Sequence, residues 1–247
     1  MGALMQLSDK TALVTGGGTG IGAACALALA NEGCRVAISG RRVDKLCVTA
    51  AAYSGKPTIL THAADVGDRD DVERLFAWAN RELGRIDILV HSAGLNVAKR
   101  AMHELTPENW DRIMCVNATG AYNCMRAVLP QMRDRRDGLI VLISSIAGIR
   151  ASLLGGVAYT ASKFAMSGLG LTVAREVNEL GIRITNVYPG EVETPILDDR
   201  PVPVSAEHRA RILQPEDVAA AVVMIAKLPP RANISEIVIK PTSQDFA

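Results

Sequence analysis

Short runs of β-branched and apolar residues alternate along this chain with longer stretches of helical periodicity. The apolar runs are Thr11–Thr15, Arg35–Ser39, Thr58–Thr61, Ile86–Val90, Leu139–Ile143, Ile182–Val187 and Glu236–Lys240. Several are apolar without alternation, the pattern of strands buried on both faces. Between them, helical patterns fall at roughly 20–32, 42–52, 68–83, 107–134, 158–180 and 215–227. Two helix starts are signalled directly. Thr106-Pro107-Glu108 and Gln214-Pro215-Glu216-Asp217 each put proline near the first helical position, with acids in the first turn. This βαβα order predicts an α/β fold, a doubly wound parallel sheet of seven strands with helices on both faces.

No repeat, low-complexity tract or linker divides the pattern, so residues 1–247 read as one domain. The least regular stretch, 195–214, carries three prolines and scattered charges. Its length and its place just after a strand end predict a lid.

Composition narrows the classes of function. Apolar residues make up 49% of the chain and aromatics only 4%, so the core must be built from Ala, Val, Ile and Leu. A net charge of +1 leaves no basic excess for nucleic acid. The cysteines are Cys25, Cys34, Cys47, Cys115 and Cys124. Their odd number, without CxxC or His/Cys spacing, argues against a disulfide framework and a metal site. They read as free thiols of a reducing, cytoplasmic setting. Residues 1–10 hold no apolar signal region, and no run of 18 apolar residues predicts a membrane span.

The candidate chemistry sits at strand ends. Gly16-Gly17-Gly18-Thr19-Gly20-Ile21-Gly22 follows the first strand and opens the first helix. Glycines there allow a sharp turn and close approach of backbone N–H groups to a pyrophosphate; the lesser alternative is a tight strand-to-helix connection, made weaker here by the strand and helix that flank the loop. At the end of the second strand, where many NAD sites place an acid for the ribose 2′-hydroxyl, stand Arg41 and Arg42. Guanidinium groups bind phosphate in a planar fork, which points to a 2′-phosphate and hence NADP(H). The alternative is two solvated arginines.

Tyr159 and Lys163 lie four residues apart, on one face of a helix. An ammonium beside the phenol favours phenolate and suits general acid/base chemistry on a carbonyl. The spacing alone is common on surface helices. Ser145 ends the fifth strand, where a hydroxyl can hold a substrate oxygen or simply make a turn. Asn117 shares an apolar helix arc with Ile113, Gly120 and Cys124, so its amide needs buried partners. It is either structural or part of a proton relay behind the lysine. Asp65-Val66, Ser92-Ala93-Gly94 and Pro189-Gly190-Glu191-Val192-Glu193-Thr194 follow the third, fourth and sixth strands. Asp65 can also be a helix N-terminal acid.

Together these residues resemble the short-chain dehydrogenase/reductase family, of the single-domain type near 250 residues, over nearly the whole chain. TGGGTGIG matches the family's TGxxxGIG loop, HSAG resembles NNAG, and YPGEVET resembles PGxVxT. Asn117, Ser145, Tyr159 and Lys163 match its catalytic tetrad. The resemblance implies a Rossmann-type sheet in the order 3-2-1-4-5-6-7. It also implies interconversion of a small-molecule carbonyl and alcohol with NADP(H), and a homotetramer or homodimer.

Residue by residue, the resemblance implies that Tyr159 protonates the carbonyl oxygen and Ser145 positions it. Lys163 holds the nicotinamide ribose and lowers the Tyr159 pKa, Asn117 keeps a relay water, and Thr194 lies near the carboxamide. Gly16, Gly18, Thr19, Gly20, Ile21, Gly22, Arg41, Arg42, Asp65, Val66, Ser92, Ala93, Gly94, Pro189, Gly190 and Val192 fall at cofactor positions. The chain departs from the family at His91 and Ser92 and in its last strand, which lacks the frequent glycine end. That ending resembles a branch with reductases of small hydroxy acids and polar ketones. Pocket walls are expected from 95–97, 149–156, Glu191 and the 195–214 segment; Arg150 either meets a carboxylate or faces solvent, and solvent is favoured because arginines are mostly exposed.

Overall fold

A computed structural model describes residues 5–244. Seven strands form one sheet: β1 (Thr11–Thr15), β2 (Arg35–Gly40), β3 (Leu60–Ala63), β4 (Ile88–His91), β5 (Gly138–Ile143), β6 (Ile182–Pro189) and β7 (Glu236–Ile239). Their order is β3-β2-β1-β4-β5-β6-β7, with every pairing parallel, as expected. Strands β1, β5 and β6 are buried at every position, which explains their unbroken apolar runs.

The helices are α1 (Gly20–Asn31), α2 (Val43–Ala51), α3 (Arg69–Leu83), α4 (Pro107–Met114), α5 (Gly120–Arg135), α6 (Val157–Val177), α7 (Ala206–Arg211) and α8 (Pro215–Ala226). One core lies between the sheet and α1, α2 and α8, with Val14, Leu29, Ile38, Leu46 and Val222 at its centre. The other lies under α3, α5 and α6, around Leu75, Leu89, Met125, Val128 and Ile140. Both signalled helix starts are present. Thr106 Oγ1 accepts from the Asn109 N–H, and Gln214 and Asp217 cap each other reciprocally.

The element boundaries differ from expectation where tertiary contacts decide them. Strand β3 begins at Leu60, because pairing with Ala37 sets its register. Strand β4 begins at Ile88 and not Ile86, whose N–H donates to the Gln131 side chain at 3.0 Å. The expected helix 107–134 is interrupted by a wide π-helical turn, Cys115–Thr119, centred on Asn117. The 195–214 segment carries a 3-10 turn at Pro195–Asp199 as well as α7. The five cysteines are free thiols, and no described helix is long and apolar enough to cross a membrane.

Candidate active site

In an open parallel sheet the ligand crevice lies beyond the strand C-termini, where the strand order reverses. Here that point lies between β1 and β4, which pair at Thr15 and His91. A cleft of about 670 Å³ opens there, and the loops after β1, β2, β4, β5 and β6 all contribute to its walls.

The glycine loop forms one end. Gly16 has φ +69°, and a Cβ there would lie 2.7 Å from the Ala93 backbone nitrogen. The loop therefore accepts only glycine where β1 and β4 approach each other. Gly18, Thr19, Gly20 and Ile21 line the cleft, while Gly22 is buried in the first turn of α1. Ser92, Ala93 and Gly94 continue the floor from β4. Gly94 lies against Asn117 and Lys163: a Cβ there would meet Asn117 Oδ1 at 3.5 Å and Lys163 Nζ at 3.6 Å, both ordinary contact distances.

Three cations stand at the far end of this half. Arg42 donates to Thr19 Oγ1 at 3.3 Å, and Arg41 lies 3.9 Å from Asp65. Lys45, one helical turn beyond Arg41 on α2, lines the same wall. Sequence reasoning missed Lys45, although a basic residue four positions after Arg41 was a readable signal. Asp65 is not the cap of α3, a role taken by Asp68. Instead Asp65 accepts from the Gly67 N–H and, with Val66, lines the cleft.

Ser145, Tyr159 and Lys163 converge at the other end. Ser145 sits just past β5, where its Oγ accepts from the Ala147 N–H at 3.1 Å, leaving its own proton to donate. Lys163 is buried, donates to the Ile143 carbonyl at 2.9 Å, and lies 5.6 Å from the centre of the Tyr159 ring. Burial brings the lysine down to about 7. Burial also holds the Tyr159 phenol above its ordinary value, against the pull of Ser145 and of the Arg100 guanidinium. The net direction for the phenol is thus upward, opposite to the expectation from Lys163 alone. The lysine is turned to the β5 carbonyl, and the opposing pull comes from the serine and from an arginine that sequence reasoning did not single out.

Asn117 is fully buried, and its amide is spent inside the protein. Oδ1 accepts from Leu95 N at 2.8 Å, while Nδ2 donates to Leu95 O at 3.0 Å and to Ser162 Oγ at 2.9 Å. Ser162 in turn donates to the Tyr159 carbonyl at 2.8 Å. The π-helical turn therefore ties the β4 loop to the first turns of α6. His91, in place of the family's asparagine, shares a 2.9 Å hydrogen bond with Thr15 Oγ1. Burial, and then the charge of Lys163, push the imidazole down to about 3.

Beyond β6, Pro189, Gly190, Val192 and Thr194 line the cleft. Glu191 Oε2 takes hydrogen bonds from Arg200 at 3.0 Å and His208 at 2.7 Å. Burial pushes this carboxyl up, but His208 and Arg200 outweigh it and hold it below the usual range. Arg209 binds Glu193 at 2.7 Å and Asp198 at 2.6 Å. The expected walls at 95–97 and Glu191 are in place. From 149–156, Ser152, Leu154 and Gly155 line the cleft, whereas Leu153 stands fully exposed at 101%. Arg150 is exposed.

Sheet order, glycine loop and the tyrosine–lysine pair together define a class of oxidoreductases that bind a nicotinamide dinucleotide. Comparison with known proteins agrees. The sequence profile of the short chain dehydrogenases matches residues 10–202. An uncharacterised oxidoreductase of Staphylococcus saprophyticus is 33% identical over 241 residues, covering 96% of this chain and all of that protein. The glycine betaine reductase of Emericella nidulans is 37% identical over 244 residues, but this chain spans only 19% of it. The alcohol dehydrogenase of Thermococcus sibiricus, complexed with 5-hydroxy-NADP, superimposes with a TM-score of 0.86 at 27% identity, covering 96% of this chain and 99% of that one. The chain belongs to the short-chain dehydrogenase family.

Proposed function

We propose that this protein is an NADP(H)-dependent oxidoreductase that interconverts a ketone or aldehyde and an alcohol, with Tyr159 as general acid and base. The observation that carries this reading is the convergence of Ser145, Tyr159 and Lys163 in one cleft with the glycine loop. The glycine cradle fits the dinucleotide, since a side chain at Gly16 would collide with the β4 loop. When bound, the dinucleotide supplies or accepts the hydride.

The chain's own groups handle the proton and the positioning. Ser145 donates to the carbonyl oxygen, and Tyr159 delivers a proton to that oxygen in reduction and takes it back in oxidation. Lys163, anchored on Ile143, holds the nicotinamide ribose with its remaining N–H donors. Asn117 acts as a positioning residue through Leu95 and Ser162. Arg41, Arg42 and Lys45 supply the charge for a 2′-phosphate. Exposed Tyr122 and Phe164, on α5 and α6, suit burial in a homo-oligomer.

The test is a panel of ketones, aldehydes and alcohols with NADPH, NADH and their oxidised forms, run at neutral and alkaline pH. Turnover that Tyr159→Phe abolishes while NADPH still binds is the expected result. Retained turnover removes Tyr159 from its role. Tight NADPH binding by the unaltered protein, with no turnover anywhere, favours a cofactor sensor instead.

A further inference from the structure

Arg100 lies between β4 and α4 and is only 7% exposed. Its Nε donates to Val97 O at 2.8 Å, its Nη1 to Leu154 O at 2.9 Å, and its Nη2 to Asp199 O. These carbonyls belong to three separate segments that surround the substrate end of the cleft. No described carboxylate forms an ion pair with this guanidinium. Asp199 offers its backbone carbonyl, and its side chain belongs to an exposed residue. The Asp199 charge acts on Arg100 from a distance, but a buried guanidinium with no carboxylate in direct contact is costly. Arg183 is similarly buried under backbone carbonyls, at Leu228 and elsewhere, but it faces no cleft. Arg100 lines the same cleft as Tyr159.

A guanidinium has five N–H donors, and the three carbonyls leave one on each Nη. Arg200, itself paired with Glu191, brings a second guanidinium to the same wall; burial first, and then its like charge, push Arg100 down. The polar groups around them offer few acceptors. Asn96 is spent on Gly155 O and Val97 N, and Glu191 Oε2 is shared by Arg200 and His208. Ser145, Tyr159 and the two arginines offer donors there. Such a wall suits a ligand with several acceptor oxygens and a negative charge, one oxygen meeting the serine–tyrosine pair and others the guanidinium fork.

We propose that Arg100, with Arg200 beside it, is a specificity-determining pair that selects carbonyl and alcohol substrates bearing a carboxylate close to the reacting carbon. This rests on the oxidoreductase reading above. The experiment measures NADPH oxidation with 2-oxo and 3-oxo acids and with the methyl ester of each. It uses the unaltered protein, Arg100→Met, Arg100→Lys and Arg200→Met, with NADPH binding measured for every variant.

The unaltered protein is expected to prefer acid over ester in kcat/KM. Arg100→Met should cut that preference by about 10- to 100-fold, the size of a lost charge-assisted pair. Arg100→Lys should restore part of it, and Arg200→Met should cut it by less. Arg200→Met carries the test if Arg100→Met no longer binds NADPH. A preference for esters, or an equal loss on acid and ester in every variant, overturns the proposal and leaves Arg100 a strut between three segments. Turnover of uncharged ketones alone overturns it while sparing the parent reading. No NADPH oxidation with any carbonyl compound removes both.

Discussion

The two ends of the cleft are built by different means. At the cofactor end the shape comes from backbone: a left-handed Gly16, strand ends paired between Thr15 and His91, and floor residues Ala93 and Gly94. At the substrate end it comes from side chains that bridge distant segments. Arg100 reaches residues 154 and 199, Glu191 binds Arg200 and His208, and Arg209 joins Glu193 to Asp198. A backbone site tolerates almost no change in its few glycines. A site of bridging side chains can be re-cut by substitution without disturbing the sheet. A change at the cofactor end should therefore act on every substrate alike, and a change at the substrate end on some more than on others.

The sharpest way to break the comparison is Gly16→Ala. It forces a positive φ on alanine and drives a methyl group into the β4 loop, so NADPH binding measured by calorimetry should weaken by about 100-fold or more. Wild-type affinity would mean that the loop is not the cradle. Replacing Arg41 and Arg42 together with alanine should weaken NADPH by about 10- to 100-fold and leave NADH nearly unchanged. Equal loss of both cofactors would count against a 2′-phosphate site.

His91 gives a test by pH. Its folded pKa, about 3, lies below the ordinary 6.5, so the unfolded chain binds a proton first. Its contribution to stability is complete above about pH 6.5 and is lost as pH falls toward 3. Against His91→Asn, the unaltered protein should therefore lose on the order of 2 kcal/mol more stability between pH 7 and pH 4.5, read by urea unfolding. Parallel losses in the two proteins would show that the imidazole is not held neutral by burial.

Glu191→Gln tests the other end with the smallest expected effect. It keeps the shape but weakens the contacts to Arg200 and His208, and should raise KM by about three- to tenfold with NADPH affinity unchanged. A matching loss of NADPH affinity would erase the distinction between the two ends.

The legibility of the site follows the same division. Tyr159 and Lys163 were readable because one helix turn separates them, and Ser145 because it ends a strand. The glycine loop was readable from its flanking strand and helix. Arg100 was not, since an arginine in a polar stretch carries no local signal and two of its three partners lie 54 and 99 residues away. Lys45 was overlooked beside the arginine pair. Asn117 was recognised as a buried amide, but periodicity cannot show the π-helical turn that aims it at Leu95. The ion pairs of the 195–214 segment and helix α7 were beyond reach of composition.

By itself the sequence determined the α/β class, the strand count, the glycine loop and the candidate residues that the fold gathers in one cleft. These are local signals, set by burial period, glycine freedom and spacing along one element. Tertiary structure alone decided where β3 and β4 begin, which way Lys163 turns, the upward direction of the Tyr159 pKa and the clasp made by Arg100. Each of those depends on burial or on partners distant in the chain. The physical reason is that desolvation and long-range hydrogen bonds belong to the packed chain and leave no period in the residues themselves.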